Sequence, residues 1–250
     1  MNRTVSIEQQ IEAAARIVRD ATHLVIFTGA GISTDSGLPD FRGPDGVWTR
    51  RDKGLPPPSR RPDAEIRPNA AHMALVALQS AGRLAYLISQ NVDNLHLESG
   101  IAADRLAELH GNKNLMRCLA CDRQFERDAV GWSRKEWGNG YRTDAVRSGQ
   151  PPCPACDGRL ISSIVNFGDP LPERELRESF RHSQHADAFI VLGSSLQVSP
   201  ANALPEAALE HGARLVIINM GDTPMDDEAH VRIRAGLGET WPAIVDRALG

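Results

Sequence analysis

All four cysteines of this chain fall into two Cys-x-x-Cys pairs, Cys118/Cys121 and Cys153/Cys156, with none left over. A two-residue spacer lets both thiolates of a pair reach one ion, so the two pairs read as a tetrahedral zinc site with four sulfur ligands. Two disulfides, or a redox-active Cys-x-x-Cys, are the alternatives. The disulfide reading is weakened because no signal peptide precedes the first apolar strand. Four thiolates leave no open coordination position for water or substrate, so such a metal is structural. The interval 112–159 that holds the pairs is poor in apolar residues. It is too polar to bury a large core, so the metal must supply much of its folding free energy.

The rest of the chain has another rhythm. Ser6 with Gln9 forms a candidate capping box ahead of Ile7, Ile11, Ala14, Ala15 and Val18, whose spacing predicts a helix over 6–20. Apolar runs at Leu24–Phe27, Leu84–Ser89, Leu160–Val165, Ala188–Leu192 and Leu215–Ile218 predict strands. Helical patterns lie between several of them, at 70–81, 173–185 and 201–211, and a last helix is expected from 235 onward. Strands alternating with helices indicate a doubly wound α/β fold with a parallel sheet. Residues 38–68, rich in proline and charge, read as a long structureless stretch of the kind that forms a lid.

Composition narrows the class of function. With 250 residues, 41% of them apolar, the chain can bury a real core. Its net charge of -4 argues against a nucleic-acid surface. No apolar run approaches the roughly 20 residues of a membrane span, and a cytoplasmic protein is expected.

Polar residues gather where the strands end. Gly29-Ala30-Gly31-Ile32-Ser33 follows the first strand and suits a pyrophosphate on backbone N–H groups, though a tight turn without ligand reads equally well. Ser89-Gln90-Asn91-Val92-Asp93-Asn94-Leu95-His96 follows another; Asn91 and Asp93 offer the donor and acceptors that a primary carboxamide needs, against a plain Asx-rich turn. His110 is a candidate general base or a structural histidine. His23, His72, His182, His185, His211 and His230 read as solvated or helix-surface residues, and Trp48, Trp132 and Trp137 as packing anchors. Gly193-Ser194-Ser195 and Asn219 add two more polar strand ends, suited to a dinucleotide lying across the sheet.

Together these stretches resemble the sirtuin (Sir2) family of NAD-dependent protein deacylases along nearly the whole chain. The resemblance rests on Gly29–Thr34, Gly37–Gly43, Ser89–His96, His110-Gly111, the paired cysteines, Phe167–Pro172 and Gly193–Leu196. Gly43–Thr49, Ala71–Val76 and Leu106–Gly111 look most like the class IV branch. The resemblance implies a Rossmann-like NAD-binding domain at 1–111 and 160–250, with a cofactor-binding loop at 37–68. A small inserted domain at 112–159 would hold one structural zinc on Cys118, Cys121, Cys153 and Cys156. Gly29, Ala30, Gly31, Ser33, Asp40, Phe41 and Arg42 would line the cofactor loop. Gln90, Asn91, Asp93 and His110 would serve the nicotinamide end, and Gly193, Ser194, Ser195 and Asn219 the phosphate and adenosine side. Asn166, Phe167 and Gly168 would meet an acyl-lysine peptide, the expected partner of a monomeric protein that binds neither nucleic acid nor membrane.

The implied reaction releases nicotinamide from NAD, with Asn91 and Asp93 holding its carboxamide. The acyl oxygen then attacks C1' and His110 removes a proton from the ribose, giving O-acyl-ADP-ribose and free lysine. The chain would be a deacetylase, with longer acyl groups as a second possibility. Mono-ADP-ribosyl transfer or NAD hydrolysis is the alternative, and a non-catalytic NAD sensor a third class. Three residues depart from the family pattern. Asn94 stands where most sirtuins have glycine and adds a polar group near the cofactor pocket; Asp169 replaces a usual glutamate; Asn166 is polar on the acyl side. No tyrosine occurs in 44–68, so a preference for acidic acyl groups is unsupported.

Overall fold

The computed structural model describes residues 6–250; residues 1–5 of the expected first domain lie outside the described residues. Helix α1 (Ile7–Asp20) starts at Ser6, whose hydroxyl accepts the Gln9 amide at 3.2 Å while Gln9 Oε1 accepts the Ser6 amide at 2.9 Å. Ile11, Ala14, Ala15 and Val18 are buried as their spacing predicts, but Ile7, expected with them, is exposed in the first turn. The chain continues through β1 (Leu24–Thr28), α2 (Val47–Asp52), α3 (Ala70–Ser80), β2 (Leu84–Ser89), α4 (Leu95–Ser99) and β3 (Leu106–Glu108). Next come β4 (Leu115–Cys118), β5 (Gln124–Glu126), α5 (Arg134–Trp137) and β6 (Leu160–Ser162). The last stretch is α6 (Glu173–His185), β7 (Ala188–Leu192), α7 (Ala203–Glu210), β8 (Arg214–Ile218), β9 (Val231–Ile233) and α8 (Leu237–Leu249).

Six strands form one parallel sheet in the order β3-β2-β1-β7-β8-β9. The chain builds outward from β1 to one edge, then returns to build β7, β8 and β9 to the other. The order therefore reverses between β1 and β7, and open sheets bind ligands beyond the carboxyl ends of strands at such a point. Alternation along β1 feeds two cores. Leu24 and Ile26 pack with Leu75, Trp241 and Ile244 on the face covered by α1, α3 and α8; Val25 and Phe27 pack with Phe189, Val191 and Leu204 on the other. No helix among the described residues is long and apolar enough to cross a membrane.

The structure revises three expectations. The strand expected at 160–165 is only Leu160–Ser162, and it pairs antiparallel with β4 in a separate sheet of order β5-β4-β6. An apolar run signals a strand but not its partner, and here burial against Met116, Trp132 and Cys153 decides. The pairing carries the smaller sheet to Ser162, beyond position 159 where composition ended the insert. Residues 38–68 are not structureless: they hold α2 and a 3₁₀ turn at Asp63–Glu65. Strands β3 and β9, three residues each, are too short to stand out from sequence.

Asn69 joins fold to site. Its Oδ1 accepts the amides of Ala71 and His72 at the start of α3, at 2.9 and 3.3 Å. Its Nδ2 donates to the Ile32 carbonyl at 2.8 Å and to Ser36 Oγ at 3.0 Å, pinning the segment after β1. Asn69→Ala removes both and should cost about 1–2 kcal/mol, the range for a lost helix cap. Urea denaturation reads this directly, and an unchanged midpoint would deny Asn69 that role.

Candidate active site

Every candidate residue outside the cysteines lines one cleft of about 1040 Å³ at the carboxyl ends of the parallel strands. Its floor is the meeting of two turns. The Gly29 amide donates to Leu192 O at 3.0 Å and the Gly31 amide to Gly193 O at 2.9 Å, so the turns after β1 and β7 touch backbone to backbone. A Cβ on Gly31 would sit 2.7 Å from Gly193 Cα, which explains the glycine. Close approach here is thus between two protein segments, and those two amides are already used. Among the described residues, the amides of Ala30, Ser194 and Ser195 have no protein acceptor and remain for an anion. A single 3₁₀ turn, Ala30–Ser33, follows β1, not the helix that a phosphate-binding N-terminus calls for.

The segment after β2 splits its side chains between two neighbours. Asn91 Nδ2 donates to Gly29 O at 3.2 Å, and Ser33 Oγ donates to Asp93 Oδ2 at 2.6 Å, so both point to the β1 turn. Leu95 N donates to Asp93 Oδ1 at 3.0 Å. An ionised carboxylate offers about four acceptor sites, so capacity remains for a carboxamide. Gln90 reaches across β1 to accept the Ser194 hydroxyl at 2.7 Å. Asn94, by contrast, turns its side chain away from the cleft, toward Glu98 and Asn112. The polar group expected near the cofactor pocket is absent from it, because the left-handed backbone of Asn94 (φ 70) aims the carboxamide outward.

His110 stands at the end of β3, with Nδ1 2.9 Å from the Gln90 carbonyl. A carbonyl only accepts, so Nδ1 carries the proton and Nε2 the lone pair. Burial lowers its pKa, against the raising effect of that hydrogen bond, and this keeps the ring neutral and basic near pH 7. Gly111 next to it has φ 79, and a Cβ there would strike the Ser163 carbonyl. The peptide-side loop is tied to the same point through Val165 N to His110 O at 2.9 Å.

On the outer side, Trp48 lies between Phe41 and Phe167, with ring centroids 4.9 and 5.9 Å away, and the Arg42 guanidinium sits 4.8 Å from its centroid. Trp48, expected as a packing anchor, packs between the two phenylalanines and also forms part of the cleft wall. Asn166 and Gly168 flank Phe167 along that wall, Asp40 and Arg42 lie on the lid, and Asn219 closes the far end below β8. Burial raises the Asp40 carboxyl, partly offset by the Gly43 amide.

Several supporting groups escaped the sequence. His72, expected at the surface, is fully buried with its ring centroid 5.1 Å from that of His96; burial pushes them down to about 4 and about 3. His96 Nε2 meets Thr28 Oγ1 at 2.9 Å. Arg232 fastens the loop after β8, donating to the carbonyls of Asn219 at 2.8 Å and Ile233 at 2.7 Å and to Asp226 at 2.7 Å. Glu108 is pushed up to about 7 by burial, against an opposing hydrogen bond from Asn112. His72, His96 and Glu108 lie inside recognisable stretches but Arg232 does not, and for all four it is burial in the folded chain that the sequence leaves unspecified.

The paired cysteines form a separate cluster. Their four sulfurs lie within 4.8 Å of one another, with Cys118–Cys156 at 3.5 Å and Cys121–Cys153 at 3.7 Å. These are not disulfide distances, and all four are free thiols. A tetrahedral ion with bonds of about 2.3 Å places sulfurs roughly 3.8 Å apart, so the tetrad fits such a metal. The amides of Ala120 and Ala155 donate to the sulfurs of Cys118 and Cys153, both at 3.4 Å.

Comparison with known proteins decides the family. The Sir2 family model matches residues 57–200. A Rhodopseudomonas palustris protein named NAD-dependent protein deacetylase is 39% identical over 253 residues, covering 94% of this chain and 96% of that protein. The chain belongs to the Sir2 family. The NAD-dependent protein deacetylase SRT1 of Oryza sativa subsp. indica is 42% identical over 231 residues, 91% of this sirtuin but 46% of the plant protein. The chain thus spans about half the length of that relative. A solved Sir2 described as bound to a p53 peptide and NAD+ superposes with a TM-score of 0.72 at 32% identity, over 94% of this sirtuin and 97% of that chain.

Glu108 gives this site a pH signature. Its folded value of about 7 lies above the carboxylate reference of 4.5, so the unfolded chain binds fewer protons between those values. Its contribution to stability is whole below about pH 4.5 and is lost as pH rises through about 7. Glu108→Gln keeps an acceptor for Asn112 without the charge. Its Tm relative to wild type should rise by about 5 °C between pH 5 and pH 8. Paired thermal melts measure this, and a pH-independent difference would refute it.

Proposed function

We propose that this chain is an NAD-dependent protein-lysine deacylase whose cleft binds NAD and an acyl-lysine peptide together. One observation carries the reading: His110 is held by Nδ1 with its basic Nε2 free, in the same cleft as Asn91 and Asp93. NAD, when bound, supplies an activated ribose C1' with nicotinamide as a neutral leaving group. Asn91 and Asp93 hold the carboxamide of that group, and the amides of Ala30, Ser194 and Ser195 take the pyrophosphate. His110 Nε2 accepts a proton from a ribose hydroxyl as a general base. Phe41, Trp48 and Phe167 exclude water from the reacting face, and Phe167, 83% exposed, has room to fold over an acyl chain. Val47, Val165 and Leu171 extend that apolar wall, which supports longer acyl groups beside acetyl.

The test supplies NAD with acetyl- and myristoyl-lysine peptides and follows products by mass spectrometry. O-acyl-ADP-ribose and free lysine are expected, and His110→Ala should lower turnover by at least about 100-fold. No turnover on either peptide would sink the reading, and nicotinamide release with the acyl group retained would point to ADP-ribosyl transfer or hydrolysis.

We further assign one structural zinc to Cys118, Cys121, Cys153 and Cys156. These thiolates fill all four positions, so the ion holds the small module together and stays out of the chemistry. Cys118→Ser should drop zinc well below one per chain and make residues 112–162 sensitive to protease. A zinc-free variant with an intact, protease-resistant module would contradict it.

A further inference from the structure

The loop after β2 alternates along its length. The side chains of Asn91 and Asp93 face the β1 turn, while the carbonyls of Gln90 and Val92 and the side chain of Asn94 face the segment that carries His110. Gln90 O is held by His110 Nδ1 at 2.9 Å, Val92 O by Lys113 N at 2.9 Å, and Asn94 Oδ1 by Asn112 Nδ2 at 2.8 Å. The first two ties use loop carbonyls, which any residue supplies. The third depends on side chains.

Asn112 is fully buried and every polar atom of its side chain is used. Nδ2 also donates to Glu108 Oε1 at 2.7 Å, and Oδ1 accepts the Asn114 amide at 2.9 Å. Asn94 is equally spent, with Nδ2 on Glu98 Oε1 at 3.0 Å. A chain of side chains, Glu98–Asn94–Asn112–Glu108, therefore runs from α4 to β3. Backbone geometry alone does not call for asparagine at 94, since glycine takes φ 70 with less strain. What asparagine adds is the tie.

We propose that Asn94 is a positioning residue for deacylation: through Asn112 and Glu108 it locks the loop carrying Asn91 and Asp93 in register with His110. The proposal rests on the deacylase reading above. Nicotinamide exchange into NAD needs the carboxamide-holding loop, whereas completed deacylation needs that loop and the base at a fixed separation. Loosening the tie therefore lowers deacylation more than exchange.

Two variants of the full chain test this. Asn94→Gly deletes the carboxamide without backbone strain. Asn94→Asp, combined with Glu98→Gln so that the glutamine amide donates to the new carboxylate, keeps the Oδ1 acceptor for Asn112 and tolerates the left-handed backbone. Both rates are read on acyl peptide, exchange with labelled nicotinamide, together with amide hydrogen exchange of residues 90–94 in the ligand-free protein. In Asn94→Gly the ratio of deacylation to nicotinamide exchange should fall about 10-fold, within what a shift under 1 Å can cost. The amides of 90–94 should exchange about 10-fold faster. The Asn94→Asp/Glu98→Gln chain should keep both near wild type. An unchanged ratio in Asn94→Gly overturns the proposal, as does an Asn94→Asp/Glu98→Gln chain that matches it. Should the wild-type chain not deacylate, the deacylase reading falls instead, and amide exchange alone decides whether Asn94 holds the loop.

Discussion

The contact between the turns after β1 and β7 is the constraint on which the rest of this molecule depends. Two parallel strands run side by side, and their following turns must diverge or touch. Here they touch, through Gly31 N and Gly193 O at 2.9 Å, with no room for a Cβ. This seals the floor of the cleft and leaves the amides of Ala30, Ser194 and Ser195 facing upward. It also sets the height of Gly29 O, to which Asn91 is fastened, and of Ser33, which bonds Asp93. Asn91 and Asp93 are thereby referenced to the centre of the sheet.

Charge around the cleft is managed by burial. His72 and His96 lie beneath the Asp93 segment and stay neutral, and His110 is kept uncharged by the same desolvation. Glu108 is the counterpart on the acid side, an anion made costly by burial and held by Asn112. The small module stands apart from this balance. Its thiols converge on one point, and its role is to give the chain leaving His110 a fixed place to return at Ser163, which bonds Asn112 in both directions at 2.9 and 2.8 Å.

Much of this was legible along the chain. The helix at 70–81 and the central strands appear almost where periodicity put them, because each buries apolar residues; the helix at 173–185 also appears there, with only Leu176 and Phe180 packed on the core beside buried Ser179 and Ser183. The scattered polar segments converge because a doubly wound sheet brings every strand's carboxyl end to one rim. Trp48 packs on Phe41 and Phe167 as an anchor should, but a lone tryptophan in a proline-rich stretch does not reveal its place in the cleft wall. His72 was misjudged because one helical turn does not reveal that its face meets His96.

The sequence by itself determined the α/β class, the cysteine tetrad and the identity of the residues at the strand ends. Those follow from local rules: apolar period, ligand spacing and the chemistry of short polar side chains. Only the tertiary structure decided which sheet Leu160–Ser162 would join, that the Gly29 and Gly31 amides serve the protein, and that Asn94 turns from the cleft to Asn112. Each of these is a choice of partner between residues distant in the chain. Partners are chosen by burial and by satisfying buried polar groups, which no single segment specifies.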